Sequence, residues 1–198
     1  MLPESGPMTS DTIAAGAAAA PLAELLAGYA ARHPADAGRV AEFRRFLQSS
    51  PTTFERRHAV GHFTGSAFVV SADGERTLLM HHRKLGFWVQ PGGHADGDRD
   101  LAAVALREAG EETGLRDLVV EPGVFDIDRH RIPARGADPE HWHYDVRFIV
   151  RATGSEAFVL NEESLELAWR RIADVAADAV ADASVRRMAR KWLARRSL

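Results

Sequence analysis

The chain has 198 residues, 45% hydrophobic and 27% charged, with a net charge of −3 and no cysteine. That length can bury one good core, and the composition is ordinary for a globular protein, so one domain with appended helices is expected. The slight acidity gives no electrostatic footprint for polymeric nucleic acid or an anionic membrane surface. The missing cysteine excludes disulfides, a thiolate nucleophile and cysteine-ligated zinc, in keeping with a reducing, cytoplasmic compartment.

Residues 1–20 read as a partly disordered tail, with two prolines, small polar residues and an alanine run. Glu4 and Asp11 argue against a signal peptide, and no stretch reaches the ~18 apolar residues of a membrane span. Residues 21–50 form a helical extension. Leu22, Leu25, Leu26 and Tyr29 share one helical face, and a second helix from about Ala35 carries Val40, Phe43 and Leu47. A dimer contact and plain packing on the rest of the chain are equally consistent with this pair.

Residues 51–198 form the main domain. Ser50-Pro51-Thr52 breaks the chain, and strands begin near Gly65 as a hairpin turning at Ala72-Asp73-Gly74. Arg83 and Lys84 are cations suited to phosphate, or else to a solvated turn. Leu118 to Ile132 suits one or two strands, residues 133–140 a loop, and His141 to Val150 a strong strand with Trp142, Tyr144, Val146 and Phe148 on one face. Its other face carries His141, His143, Asp145 and Arg147. Two histidines at that spacing can share a zinc ion, but no closed zinc set is visible along the chain, so this face, with His143 and Arg147, is expected to line a substrate pocket. A helix over Asp174 to Asp182 and an amphipathic one through Val185, Met188 and Trp192 close the chain, their arginines suited to a helix end and solvent.

The stretch from Gln90 to Leu115 carries the chemistry. Pro91-Gly92-Gly93 is a tight turn whose bare backbone permits close approach. Asp100 stands at an N-cap position, LAAVAL follows as a nearly apolar helical run, and Gly114 supplies a left-handed stop. Glu108, Glu111 and Glu112 lie at i, i+3 and i+4 and project from one side of that helix. Repelling carboxylates at the end of a buried helix make physical sense when a cation neutralises them.

This stretch resembles the signature box of the Nudix hydrolases. Gly93, Arg107, Glu108, Ala109, Glu111, Glu112, Gly114 and Leu115 fill eight of its nine fixed or apolar positions, and Arg99 replaces the first glutamate. In the family that glutamate helps anchor the loop, so the departure bears on anchoring, for which Asp98 or Asp100 are substitutes. The resemblance implies an α/β/α sandwich with a mixed β-sheet, to which the helical pair and C-terminal helices are added. It also implies Mg2+, or Mn2+, held by Glu108, Glu111, Glu112 and the Gly92 carbonyl, with Arg107 orienting the acids. The implied reaction is hydrolysis of a nucleoside diphosphate linked to another moiety. A nucleotide-sensing module that has lost turnover is the alternative. The segment 161–166 resembles the family's late loop, which makes Glu162, Glu163 and Glu166 candidates for a further ligand or base.

Overall fold

A computed structural model describes residues 20–83, 86–136, 138–161 and 164–196. Helices α1 (Leu22–Arg32) and α2 (Ala37–Ser49) flank a 3-10 turn and precede strands β1 (Gly61–Val70), β2 (Arg76–His82), β3 (Trp88–Val89) and β4 (Gly92–His94). Helix α3 (Leu101–Thr113) leads to β5 (Leu118–Val120), β6 (Asp126–Ile132), β7 (His141–Ala152) and β8 (Ser164–Arg171). Helices α4 (Ile172–Ala177) and α5 (Ala183–Arg196) follow.

Strand β1 is the spine of the sheet. It pairs antiparallel with β2 and β4, and parallel with β7 from Gly61 against Trp142 to Val70 against Arg151. The sheet runs β3-β2-β1-β7-β5, with β4 joined to β1, β6 to β7 and β8 to β2, so it is mixed. The strand begins at Gly61 rather than Gly65 because the partner that fixes its first residues lies some 80 residues onward, beyond any local pattern. Successive side chains point to opposite faces. Phe63, Ala67 and Val69 enter one cluster with Leu101, Val104 and Ala105 of α3 and with Leu26, Tyr29, Val40 and Phe43. Phe68 and Val70 enter a second with Ile172, Val175, Val185, Met188 and Trp192. Both faces are thus covered by helices, the sandwich expected from the sequence.

The N-terminal pair shares this core. Phe46 stacks on Tyr144 with ring centroids 3.7 Å apart, and Phe43 meets the same ring edge-on at 5.3 Å. Buried on α2 are Val40, Phe43 and Phe46, with Leu47 only partly covered.

Two expectations need correction. The late segment is a strand from Ser164, pairing with β2, so Glu166 is an exposed strand residue opposite His81. The helix expected to reach Asp182 stops at Ala177, because Asp182 Oδ1 instead accepts the Ser184 and Val185 N–H groups, at 2.8 and 3.1 Å, and starts α5. Residues 1–19, Lys84, Glu162 and Glu163 lie outside the described residues. No described helix is long and apolar enough to cross a membrane.

Candidate active site

The site begins with how α3 is held at its two ends. Asp100 caps it, Oδ1 accepting from Ala102 and Ala103 N–H at 3.2 and 3.1 Å. Gly114 ends it at φ 69°, in the left-handed region where glycine carries no steric penalty. Leu101, Val104, Ala105 and Ala109 are buried, so the helix cannot roll, and its acidic side is fixed.

That side meets the glycine turn. Glu112, 6% exposed, accepts the Gly92 N–H on Oε2 at 2.8 Å. A Cβ on Gly93 would stand 2.5 Å from the carboxyl carbon of Glu108, so glycine there is what lets this carboxylate lie against the turn. Arg107 Nη2 donates to Glu108 Oε1 at 3.1 Å, and Glu111 is exposed. Oxygen donors gathered beside a backbone turn are what a hard divalent cation requires, and the residues present fit one.

Arg99, the departure from the signature, anchors the loop by other means. Its guanidinium lies 5.2 Å from the Phe54 ring centroid and donates to the Pro51 carbonyl at 3.3 Å. Gly97 N–H adds a 2.8 Å bond to the Phe54 carbonyl. Asp98 accepts from Asp100 N–H and Asp100 caps the helix, so the loop is tied to the segment before β1.

The pocket expectation for Arg147 is not met. Its side chain is 2% exposed, with Nε donating to Asp145 at 2.7 Å, Nη1 to Asp126 at 3.3 Å and Nη2 to Asp128 at 3.5 Å. Helix α5 closes this end of the face, bringing Arg187 to Asp126 and Asp128 at 2.8 and 2.9 Å and Lys191 to Asp126 at 2.7 Å. Burial opposes the Arg147 charge, but the three aspartates outweigh it and hold its pKa above the usual value. Asp145 also accepts from Thr64 and Ser66, at 2.9 and 2.7 Å, so its capacity is taken up inside the protein. Arg83 is exposed and donates to the Ser164 carbonyl at 3.3 Å.

His143 is half-buried, and it is not alone. Ligand atoms of His62, His94 and His143 all lie within 4.8 Å of one another. Burial pushes the His62 imidazole down to about 4 and that of His143 to about 2, with neighbouring histidines adding to both shifts. His62 and His94 escaped the sequence reading because each comes from a different strand. The pairings His62 with His143 and Thr64 with His94 are the only signal that joins them.

A mixed sheet clad by helices on both faces, one of them presenting glutamates to a glycine turn, defines the Nudix class of fold. The NUDIX domain model matches residues 62–192, and the chain belongs to the Nudix family. It is 34% identical over 119 residues to the CMP-5'-(N-acetyl-N-hydroxy-3-aminopropyl)phosphonate hydrolase of Streptomyces rubellomurinus, across 50% of this chain. The match spans 58% of that relative's length. In fold it is similar to a C. elegans Ap4A hydrolase in a binary complex, with TM-score 0.54 and 18% identity over 68% of this chain and 97% of that one. It is similar too to the E. coli dihydroneopterin triphosphate pyrophosphohydrolase, with TM-score 0.51 and 16% identity over 67% and 95% of the two chains.

Proposed function

We propose that the protein is a divalent-metal-dependent pyrophosphohydrolase acting on a nucleoside diphosphate linked to a further group, such as a sugar, a ribose or another phosphate. The observation that carries this reading is the convergence of Glu108 and Glu112 on the turn at Gly92 and Gly93, with Glu111 on the same side of α3. Glu108, Glu111, Glu112 and the Gly92 carbonyl would hold the ion. Magnesium, or manganese in its place, supplies charge neutralisation for the diphosphate and a lowered pKa for a bound water.

The chain's own contribution is placement. Gly92 N–H fixes one carboxylate oxygen of Glu112, and Arg107 fixes one of Glu108, so the acids lose little further freedom when substrate arrives. Hydrolysis adds water across the anhydride: its oxygen bonds to phosphorus in line with the departing phosphate oxygen, whose P–O bond breaks. The water's proton passes to a carboxylate of this acidic set or of segment 161–166, and no single glutamate is assigned as its acceptor. A curated relative whose name describes hydrolysis of a CMP-linked phosphonate supports a nucleotide on one side of the bond.

A panel of nucleoside triphosphates, nucleotide sugars and dinucleoside polyphosphates, incubated with magnesium or manganese and resolved by mass spectrometry, tests the reading. Products split at a phosphoanhydride are expected. Metal-independent cleavage, or no cleavage across the whole panel, overturns it.

A further inference from the structure

The histidine cluster has a chemistry the glutamates lack. His62 is 3% exposed, and neither of its ring nitrogens has a hydrogen-bond partner. Buried polar atoms are almost always paired, so an orphaned imidazole inside a ring of imidazoles points to a ligand. The rings surround it closely: centroids of His94, His141 and His143 lie 4.9, 4.9 and 4.8 Å from that of His62. Their backbones are neighbouring strands, β1, β4 and β7, paired in register, so the cluster is set by the sheet.

We propose that His62, His94 and His143 bind one divalent transition ion of the zinc class, at a second metal site separate from the oxygen donors of α3. Imidazole nitrogen suits zinc, nickel and copper, whereas magnesium takes oxygen, so the two sites would sort ions by ligand chemistry. Zn–N bonds of about 2.0–2.1 Å put tetrahedral nitrogens roughly 3.4 Å apart, and ring rotations of about an ångström bring a set lying within 4.8 Å to that spacing.

His141 extends the argument. Its Nδ1 lies 2.8 Å from the Pro139 carbonyl, which only accepts, so Nδ1 carries a hydrogen and Nε2 is the nitrogen left to face an ion. That Nε2 hydrogen-bonds the His143 Nε2 at 3.3 Å, close to the separation of two nitrogens on one tetrahedral ion, so a modest turn of the His141 ring would let it complete the set. A carbonyl behind a ligating imidazole is also the usual outer support of a zinc histidine. An ion here would tie β4 to β1 and β7 two residues beyond Gly92.

The test uses the full chain without a polyhistidine tag, stripped by chelator and dialysed against zinc with excess magnesium. One zinc per chain is expected, and cobalt in its place should give the intense visible band of a tetrahedral nitrogen site. His62→Ala and His143→Ala should each weaken zinc by more than the ~10–100-fold that loss of a mere supporting partner costs, while Glu111→Gln/Glu112→Gln leaves zinc in place. Absence of zinc from the folded chain, displacement by magnesium, or loss of zinc with the glutamates and not the histidines overturns the proposal. If His62→Ala does not fold, ring 15N resonances of the unaltered chain decide. Zinc-induced shifts at His62, His94 and His143, with or without His141, support the site, and shifts confined to other residues or none overturn it.

Discussion

The two charged clusters on this sheet are built on opposite plans. Around Arg147 the signs are mixed: Arg147, Arg187 and Lys191 face Asp126, Asp128 and Asp145, and nearly every contact is internal. On α3 the sign is single: Glu108, Glu111 and Glu112 share one side of a helix, with Arg107 as the adjoining cation. A compensated cluster needs nothing from outside, because each buried charge already has the partner that offsets its desolvation. A single-sign cluster carries net charge that a counter-ion would offset, as the proposed metal site requires. Burial alone does not draw this distinction, since Glu112 and Arg147 are both buried.

The sharpest way to break the comparison is to remove the centre of the compensated cluster. Arg147→Ala leaves the buried Asp145 without its cation and takes one of the cations from Asp126 and Asp128, which keep Arg187 and, for Asp126, Lys191, and should cost ~3–5 kcal/mol of stability in denaturant unfolding. Should stability hold while activity disappears, Arg147 serves substrate and the contrast fails. The converse change, Glu111→Gln with Glu112→Gln, should lower hydrolysis ~10²-fold or more and leave the melting temperature near that of the parent. Surviving rates would place the chemistry elsewhere.

Smaller effects refine the picture. Asp100→Ala removes the cap of α3 and should cost ~1 kcal/mol, read by thermal unfolding, with hydrolysis surviving in the folded fraction. An activity loss far beyond the stability loss would mean that the cap positions the glutamates and not only the helix.

The smallest expected effect is on the acid side. Burial pushes the Asp128 carboxyl up, but the His130 hydrogen bond and the charges of Arg147 and Arg187 together hold it below its ordinary value of 3.8. The unfolded chain then binds more protons than the folded one, so this contribution is whole above that value and is lost as pH falls below it. The melting temperature should start to drop as pH falls below about 4 and go on dropping below pH 3, and Asp128→Asn should flatten that slope. An unchanged slope would show that Asp128 is not held by the cluster as its contacts indicate.

How much was legible depends on the range of the contact that decides each element. Hairpin, cap and left-handed stop are local, so Ala72-Asp73-Gly74, Asp100 and Gly114 could be placed from neighbours alone. The first residues of β1 could not, because their partner is β7. The polar face of β7 was recognised correctly as a face and incorrectly as open at Arg147. The covering comes from α5, and no pattern within β7 reports what will lie across it.

Sequence by itself determined that a helix would carry Glu108, Glu111 and Glu112 together on one side, because helical geometry converts spacing into direction. It also determined the glycine turn before that helix, because backbone freedom is a property of the residue. Only the tertiary structure decided that Arg147 would be sealed among aspartates and that His62, His94 and His143 would meet. Those groups come from strands and helices far apart in the chain, and long-range pairing is a property of the whole packed sheet and not of any window along it.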